Sequence, residues 1–441
     1  MDRRNFIASS VIAAAGITIL PSAVFAGTDK IRLGYIGVGS RGRTHVEAGV
    51  MRSDVEVVAV CDIQEGSLQA SREIFNKAGK KLPKEYTGGL DAFKKMLDRK
   101  DIDGVIISTP WAFHKDQAIY AMRAGKYVGC EVIAGISLED HWEIAKVYEE
   151  TKVPYMTLEN VCYRRDVMAV LNMTRQGLFG ELVHAEGGYQ HDLRTVLFTG
   201  KEALFGPNGA SEAQWRTQYN IDVDGDIYPT HGAGPVMNYL DINKGNRFTN
   251  MVSFSSKARG LSSYVNKINP GNPSAKINYK NGDVVTTMIN CANGETVTLS
   301  HDTHLPRPYS LGFRVQGTEG LWMDVNESVY IEGKAKEYDQ WDPAKSWLDK
   351  YDHPLWKKYA GDAKGAGHGG MDWFVFNAFV QAVKQKKQTP IDVYDSLTMS
   401  VIMPLSVKSL KEGNMPQDFP DFTNGKWKTA KPTFALDDSG F

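Results

Sequence analysis

The stretch IRLGYIGVGSRG, residues 31–42, decides the fold. Ile31 to Ile36 reads as a short apolar strand running straight into Gly37-Val38-Gly39-Ser40-Arg41-Gly42, and a helical stretch over 43–51 follows. Strand, G-x-G-x-x-G turn and helix in this order suit a dinucleotide pyrophosphate. Gly37 permits the tight turn, Gly39 lets the backbone approach the phosphates, and Gly42 lets the helix pack on the strand. The phosphates then sit on the helix N-terminus.

The motif alone is weak, and its surroundings strengthen it. A second buried strand over 55–60 ends in Cys61-Asp62, twenty residues after Gly42. A carboxylate there accepts from both ribose hydroxyls and favours NAD over NADP. Asp62 also reads as a helix N-cap, and Arg41 beside the loop can tolerate a 2′-phosphate. Helices over 65–78, 89–97 and 138–150 alternate with strands over 104–108, 126–130 and 155–158. Such alternation predicts a doubly wound parallel sheet, an N-terminal Rossmann domain over 29–158. Ligands lie beyond the carboxyl ends of such strands, here Gly37–Gly42, Asp62, Thr109–His114, Glu131-Val132 and Glu159-Asn160.

The pattern changes after Asn160. Residues 163–176 read as a helix, 181–190 as a strand, and 195–227 as irregular and polar. Strand-like runs then fall at 251–254, 284–291, 296–300, 311–316, 321–325 and 329–331, with Asn293-Gly294 as a hairpin signal. This predicts a substrate-binding α+β domain over 159–441 with an open antiparallel sheet. Helices over 372–386 and 393–410 close the chain and pack back on the first domain.

Composition sets limits. The 441 residues carry 51 Lys and Arg against 52 Asp and Glu, a net charge of −1 that lacks the basic excess of a nucleic-acid binder. Four dispersed cysteines make neither a zinc pattern nor a disulfide framework. Residues 1–26 read as an export signal: Arg3-Arg4, an apolar stretch over 11–20, and a small-residue end at Ala26. The arginine pair with Asn5-Phe6-Ile7 resembles a twin-arginine signal, the alternative being an ordinary secretory signal. The expectation is an exported, periplasmic protein, soluble after cleavage and with no integral membrane span.

Polar clusters in the second half suggest sugar chemistry. Tyr189-Gln190-His191-Asp192 ends a strand, Trp215-Arg216 sits in a loop, Tyr228-Pro229-Thr230-His231-Gly232 opens a helix, and Arg307-Pro308-Tyr309 follows a strand. Tyr and His are the usual groups for moving a proton from a sugar hydroxyl or carbon. Each is individually as compatible with a structural role. His301, Asp302 and His304 do not make a credible metal site on a strand, so no metal is expected.

These strings carry a family resemblance. The first half is similar to the glucose–fructose oxidoreductase, inositol dehydrogenase and MocA family. Glu159-Asn160-Val161-Cys162-Tyr163, Gly188 to Arg194, Tyr228 to Gly232 and Gly367-His368-Gly369-Gly370-Met371-Asp372 resemble its glycoside hydrolase family 109 branch, the NAD-dependent α-N-acetylgalactosaminidases. The resemblance covers nearly the whole chain after the signal.

It implies NAD against Ser40, Arg41, Asp62, Trp111 to His114, Glu131, Val132 and Asn160. It implies a glycan sugar against Glu159, Tyr189, Arg216, Tyr228, His231 and Tyr309. The implied reaction is hydrolysis without net redox: oxidation at C3, loss of the C2 proton, elimination at C1, addition of water and reduction at C3. Tyr189 and His231 are the expected proton carriers, with Glu159 assisting the leaving group or orienting water. Family dehydrogenases have Glu-Lys-Pro where this chain has Glu131-Val132-Ile133. The hydrolase branch also lacks that Lys and usually keeps the Pro, so Ile133 departs from both; the missing Lys at Val132 and the export signal argue against the alternative of an NAD-dependent sugar dehydrogenase. A non-catalytic sugar-binding protein is the alternative outside enzymes. Superfamily analogy points to a homo-oligomer through the open sheet face.

Overall fold

The computed structural model describes residues 30–438 and Phe441, so the export-signal reading of residues 1–26 lies outside the described residues. The chain builds β1 (Ile31–Ile36), α1 (Ser40–Met51), β2 (Val55–Cys61), α2 (Glu65–Lys77), β3 (Lys84–Tyr86), α3 (Ala92–Leu97) and β4 (Gly104–Ile107). Then come α4 (His114–Arg123), β5 (Tyr127–Cys130), α5 (Leu138–Thr151) and β6 (Tyr155–Thr157). Six parallel strands lie in the order β3-β2-β1-β4-β5-β6. The order reverses between β1 and β4, which opens a crevice beyond their carboxyl ends. All four β4 residues are buried, as in a sheet covered on both faces.

A second sheet has nine strands: β7 (Leu182–Gln190), β8 (Phe248–Ser255), β9 (Val284–Cys291), β10 (Thr296–Asp302), β11 (Arg314–Gly317), β12 (Gly320–Met323), β13 (Ser328–Ile331), β14 (Asp342–Pro343) and β15 (Gln417–Asp418). Their order is β14-β13-β12-β11-β7-β10-β9-β8-β15. The sheet is antiparallel apart from β7 and β10, which run parallel with Tyr189 opposite His301. The expected open antiparallel sheet is thus present, with this one parallel pair inside it. The exception arises because the chain leaves β7 on a long excursion, then returns through the β8-β9-β10 meander to lie beside it in the same direction. Gly294, at φ 104°, makes the β9–β10 turn.

The remaining helices are α6 (Arg165–Arg175), α7 (Arg194–Leu197), α8 (Arg216–Asp222), α9 (Thr230–Tyr239), α10 (Gly260–Ile268), α11 (Ala344–Lys350), α12 (Pro354–Tyr359), α13 (Met371–Gln385), α14 (Val393–Ser400) and α15 (Ile402–Lys411). Two short helices, α7 and α8, thus occupy the region expected to be irregular. The single helix expected over 393–410 is two, because Pro404 has no N–H for the carbonyl of Ser400 and its ring crowds it.

The closing helices cover the first sheet. The Phe379 ring lies over Gly104 and Gly129, where a Cβ on Gly129 would come within 3.2 Å of it. Phe379 is wholly buried, and truncation to Ala there costs about 3–5 kcal/mol. On α14, the Ser396 hydroxyl accepts from the Thr157 amide (2.9 Å) and the Ser400 hydroxyl from the Ala134 amide (3.1 Å). No helix among the described residues is long and apolar enough to cross a membrane.

Candidate active site

One cavity of about 580 Å³ runs from the glycine turn to the ends of β7 and α9. Gly37, Gly39, Ser40, Arg41, Asp62, Trp111, Glu131, Val132 and Asn160 line it at one end. Tyr189, Arg216, Tyr228 and His231 line the other. The turn is built as its glycines require. Gly37 has φ 80°, and a Cβ on Gly42 would collide with the Gly37 carbonyl. At Gly39 a Cβ would meet nothing nearer than Ser67 Oγ at 3.9 Å, so a side chain would fill the cradle itself. No side chain caps the N-terminus of α1, whose first amides are left for an anion. These features fit a dinucleotide.

Asp62 is not the N-cap of α2, which is Gln64. Its Oδ2 accepts from the Val38 amide and its Oδ1 from the Gln64 amide, both at 2.8 Å. The carboxylate thereby ties the end of β2 to the glycine turn.

Arg41 is held on two sides. Its Nε donates to Glu131 (2.7 Å), and Nη1 and Nη2 donate to the two oxygens of Asp372 (2.9 and 3.2 Å). His45 Nε2 lies 2.6 Å from the same Glu131 oxygen. Burial works to raise the Glu131 carboxyl, but the Arg41 charge and the His45 bond override it and hold it at about 2. Asn160 Nδ2 donates to Asp372 (2.7 Å). His114 is not brought to the cavity: its ring nitrogens lie 2.6 and 2.7 Å from the carbonyl oxygens of Ile133 and Thr109.

At the other end, His231 Nδ1 meets both oxygens of Glu159, at 2.7 and 2.9 Å. Glu159 is wholly buried, also accepts from the Val161 amide, and does not line the cavity. It was expected to act on the leaving group or on water. The structure instead sets it behind His231, so that it reaches the cavity through the imidazole. Nδ1 carries the proton toward Glu159, which turns Nε2 away from the carboxylate.

Tyr189 stacks on Tyr228 with ring centroids 4.6 Å apart and meets the His231 ring edge-on at 5.0 Å. Burial pushes its hydroxyl up to about 12 against the opposing Arg216 charge. That hydroxyl lies 3.1 Å from His191 Nδ1. Burial, then the Arg216 and His231 charges, push His191 down to about 4, so its ring is neutral and can accept from Tyr189.

The Arg216 guanidinium lies 4.6 Å from the Tyr228 ring centroid and 5.3 Å from that of Trp111. Its Nη1 donates to Glu212 (2.6 Å), while its buried Nη2 makes no hydrogen bond among the described residues. Tyr309 stands one ring behind the cavity wall, its centroid 4.9 Å from His191. His304 bonds Asn220 and Asp302 bonds Arg307. Among the described residues no group of three or more His, Cys, Asp or Glu side chains has the arrangement of a metal site.

Sequence reasoning assigns no individual role to His191, His45, Glu212 or Asp372. The first follows directly on the end of β7, two residues after Tyr189, and its Nδ1 meets the Tyr189 hydroxyl. Asp372 lay within a quoted string but far from any partner in sequence.

Comparison with known proteins follows the two halves. A family model described as the NAD-binding Rossmann fold of an oxidoreductase family matches residues 31–158, and one described as the C-terminal domain of glycosyl hydrolase 109 matches residues 163–429. A glycosyl hydrolase family 109 protein of Stenotrophomonas maltophilia is 53% identical over 99% of both chains. An alpha-N-acetylgalactosaminidase of Tannerella forsythia is 46% identical over 98% of this chain and 99% of its own.

Among solved structures, a levoglucosan dehydrogenase in complex with NADH aligns with a TM-score of 0.67 at 19% identity, over 89% of this chain and all of its own. A myo-inositol 2-dehydrogenase from Lactobacillus plantarum aligns at 0.62 and 18%, with the same coverage. These two likenesses concern the fold. Placed beside the near-full-length relatives, the paired domain matches decide the matter: an NAD-binding Rossmann domain is joined to a hydrolase domain, and the chain belongs to glycosyl hydrolase family 109.

Proposed function

We propose that the protein hydrolyses terminal α-linked N-acetylgalactosamine with NAD bound throughout, residues 29–158 holding the cofactor and 159–441 the sugar. The observation that carries this reading is the single cavity that joins the glycine turn and Asp62 to Tyr189, Arg216 and His231. Its carboxylates are all engaged: Asp62 at the turn, Glu131 with Arg41, Glu212 with Arg216. Among the described residues the sugar end therefore offers no opposed acid–nucleophile pair, the usual equipment of a glycosidase.

When bound, NAD⁺ supplies reversible oxidation of the sugar at C3, which acidifies the C2 proton and lets the C1 substituent leave by elimination. The chain's residues do the rest. His231, with Nδ1 on Glu159, presents Nε2 for proton transfer at a substrate hydroxyl or at the departing oxygen. Tyr189, its hydroxyl beside the neutral His191, moves the C2 proton. Arg216 offers its buried Nη2 to a substrate oxygen, held in place by Tyr228 and Trp111. Gly39, the α1 amides and Asp62 seat the cofactor.

Val132 lines the cavity where a family dehydrogenase has its Lys, which favours hydrolysis over net oxidation. The Arg3-Arg4 leader supports export of a folded enzyme already carrying its cofactor. The test is release of nitrophenol from aryl α-N-acetylgalactosaminide by purified protein without added NAD. Turnover is expected. Activity that requires stoichiometric added NAD and accumulates NADH would give the dehydrogenase reading instead.

A further inference from the structure

A short strap precedes α13. Residues Gly365, His368, Gly369 and Gly370 all have positive φ, at 85°, 51°, 70° and 104°. His368 from this strap lines the same cavity as Gly39, Arg41 and Asn160. Its Nδ1 lies 2.7 Å from Asp372 Oδ2, in the first turn of α13. Asp372 is thus a hub for three separate segments. Oδ1 receives Asn160 Nδ2 (2.7 Å) and Arg41 Nη2 (3.2 Å), and Oδ2 receives Arg41 Nη1 (2.9 Å) and His368 Nδ1. Although burial opposes ionisation, the Arg41 charge and the His368 bond hold the carboxyl well below the usual range.

Asp372 itself does not line the cavity, while Arg41, Asn160 and His368 all do. We infer that Asp372 is a positioning residue for cofactor retention: it fixes the arginine of the glycine turn and the Asn160 amide, and holds the His368 strap against the cavity. The inference rests on the resident-NAD reading above. The mechanism is geometric. With Asn160 Nδ2 committed to Asp372, the amide oxygen is turned away from that carboxylate. With Arg41 engaged on Glu131 and Asp372, its guanidinium is locked beside the turn. A seat whose donors are fixed in advance orders less on binding and releases its ligand more slowly.

The experiment measures nucleotide release rather than turnover. Wild type, Asp372→Asn, Asp372→Glu and His368→Ala are purified with their nucleotide. Each is diluted into buffer containing excess radiolabelled NAD, and exchange is followed by filter binding. Asp372→Asn keeps the shape and loses the charge, so its exchange should be at least tenfold faster than wild type. Asp372→Glu should restore part of the difference. His368→Ala removes a largely exposed side chain at the cavity's edge together with its bond to Asp372, and should accelerate exchange about threefold.

His368→Ala, on a largely exposed side chain, should keep the nucleotide-free melting temperature of wild type, so faster exchange there is a loss of retention and not of stability; Asp372→Asn also gives up a buried ion pair, and its exchange is read against that of Asp372→Glu. Unchanged exchange in His368→Ala together with unchanged exchange, or failure to fold, in Asp372→Asn would overturn the inference. A wild type that neither carries nor takes up NAD would instead sink the resident-cofactor reading on which it stands.

Discussion

His231 Nδ1 sits between the two carboxylate oxygens of Glu159, 2.7 Å from one and 2.9 Å from the other. Glu159 is wholly buried behind the imidazole, so the pair is held in one orientation with Nδ1 facing the carboxylate. A carboxylate in this position orients the ring so that its far nitrogen faces the cavity for proton transfer.

Replacing Glu159 by Gln should therefore act through His231. We expect kcat to fall by ~10²–10⁴-fold, comparable to His231→Ala, with NAD content unchanged. The double variant should be no worse than the poorer single one, because the two act as a unit. Steady-state kinetics on an aryl glycoside with nucleotide quantified in the same samples checks this; additive losses would separate the two residues.

Tyr189 is the expected carrier of the C2 proton, and isotope exchange reads that step directly. Hydrolysis in deuterated water should place deuterium at C2 of the released sugar, detectable by NMR. Tyr189→Phe should lower kcat by ~10²–10⁴-fold. Normal turnover with no deuterium at C2 would remove the elimination route and return Tyr189 to a stacking role on Tyr228.

Asp62 accepts from two backbone amides at the glycine turn, and Asp62→Ala leaves the exposed Gln64 amide to water and the Val38 amide without its acceptor. NAD should be retained less well, and the nucleotide-free protein should lose about 1–3 kcal/mol of stability. Asp62→Asn keeps an acceptor and should spare the stability more than the NAD retention. Nucleotide content after dialysis and a urea melt of the stripped protein decide it; undiminished retention in both variants would end the cofactor role.

Asp226, behind Tyr228, provides a pH test read on stability alone. It is buried, accepts from the Tyr228 amide (3.2 Å), and burial raises its carboxyl to about 7. An unfolded Asp ionises near ~3.9, so between about pH 4 and pH 7 the folded chain holds a proton that the unfolded chain has lost. Stability from this group falls as pH rises through that window and is flat above it. Asp226→Asn removes the titration and should gain on wild type, by on the order of a few kcal/mol, from pH 5 to pH 8. Parallel urea-unfolding curves at the two pH values would show that the group does not titrate in this range.

The nucleotide half was legible because its signals are local: a glycine turn after an apolar strand, a carboxylate at the next strand's end, and regular alternation. Tyr189, Arg216, Tyr228 and His231 were legible as types, and the fold brings them to one wall. Other features rest on distance along the chain. The Arg41–Asp372 pair spans more than 300 residues, and the parallel β7–β10 pairing depends on where the chain goes between them. Pro404 is visible in the sequence, but the apolar period continues on either side of it and hides the break. A helix-opening His near a ligand crevice reads alike whether it faces the crevice or, as His114 does, two backbone carbonyls.

Phe379 has a consequence for how the protein is made. Its ring completes the packing over Gly104 and Gly129, so the nucleotide sheet is not finished when residue 158 leaves the ribosome. Roughly 230 further residues must follow before that helix exists, on the order of 10–50 s at about 5–20 residues per second. Through that interval the emerging sheet exposes an apolar face, a natural client for a chaperone. The arginine of its glycine turn also waits for a carboxylate not yet translated.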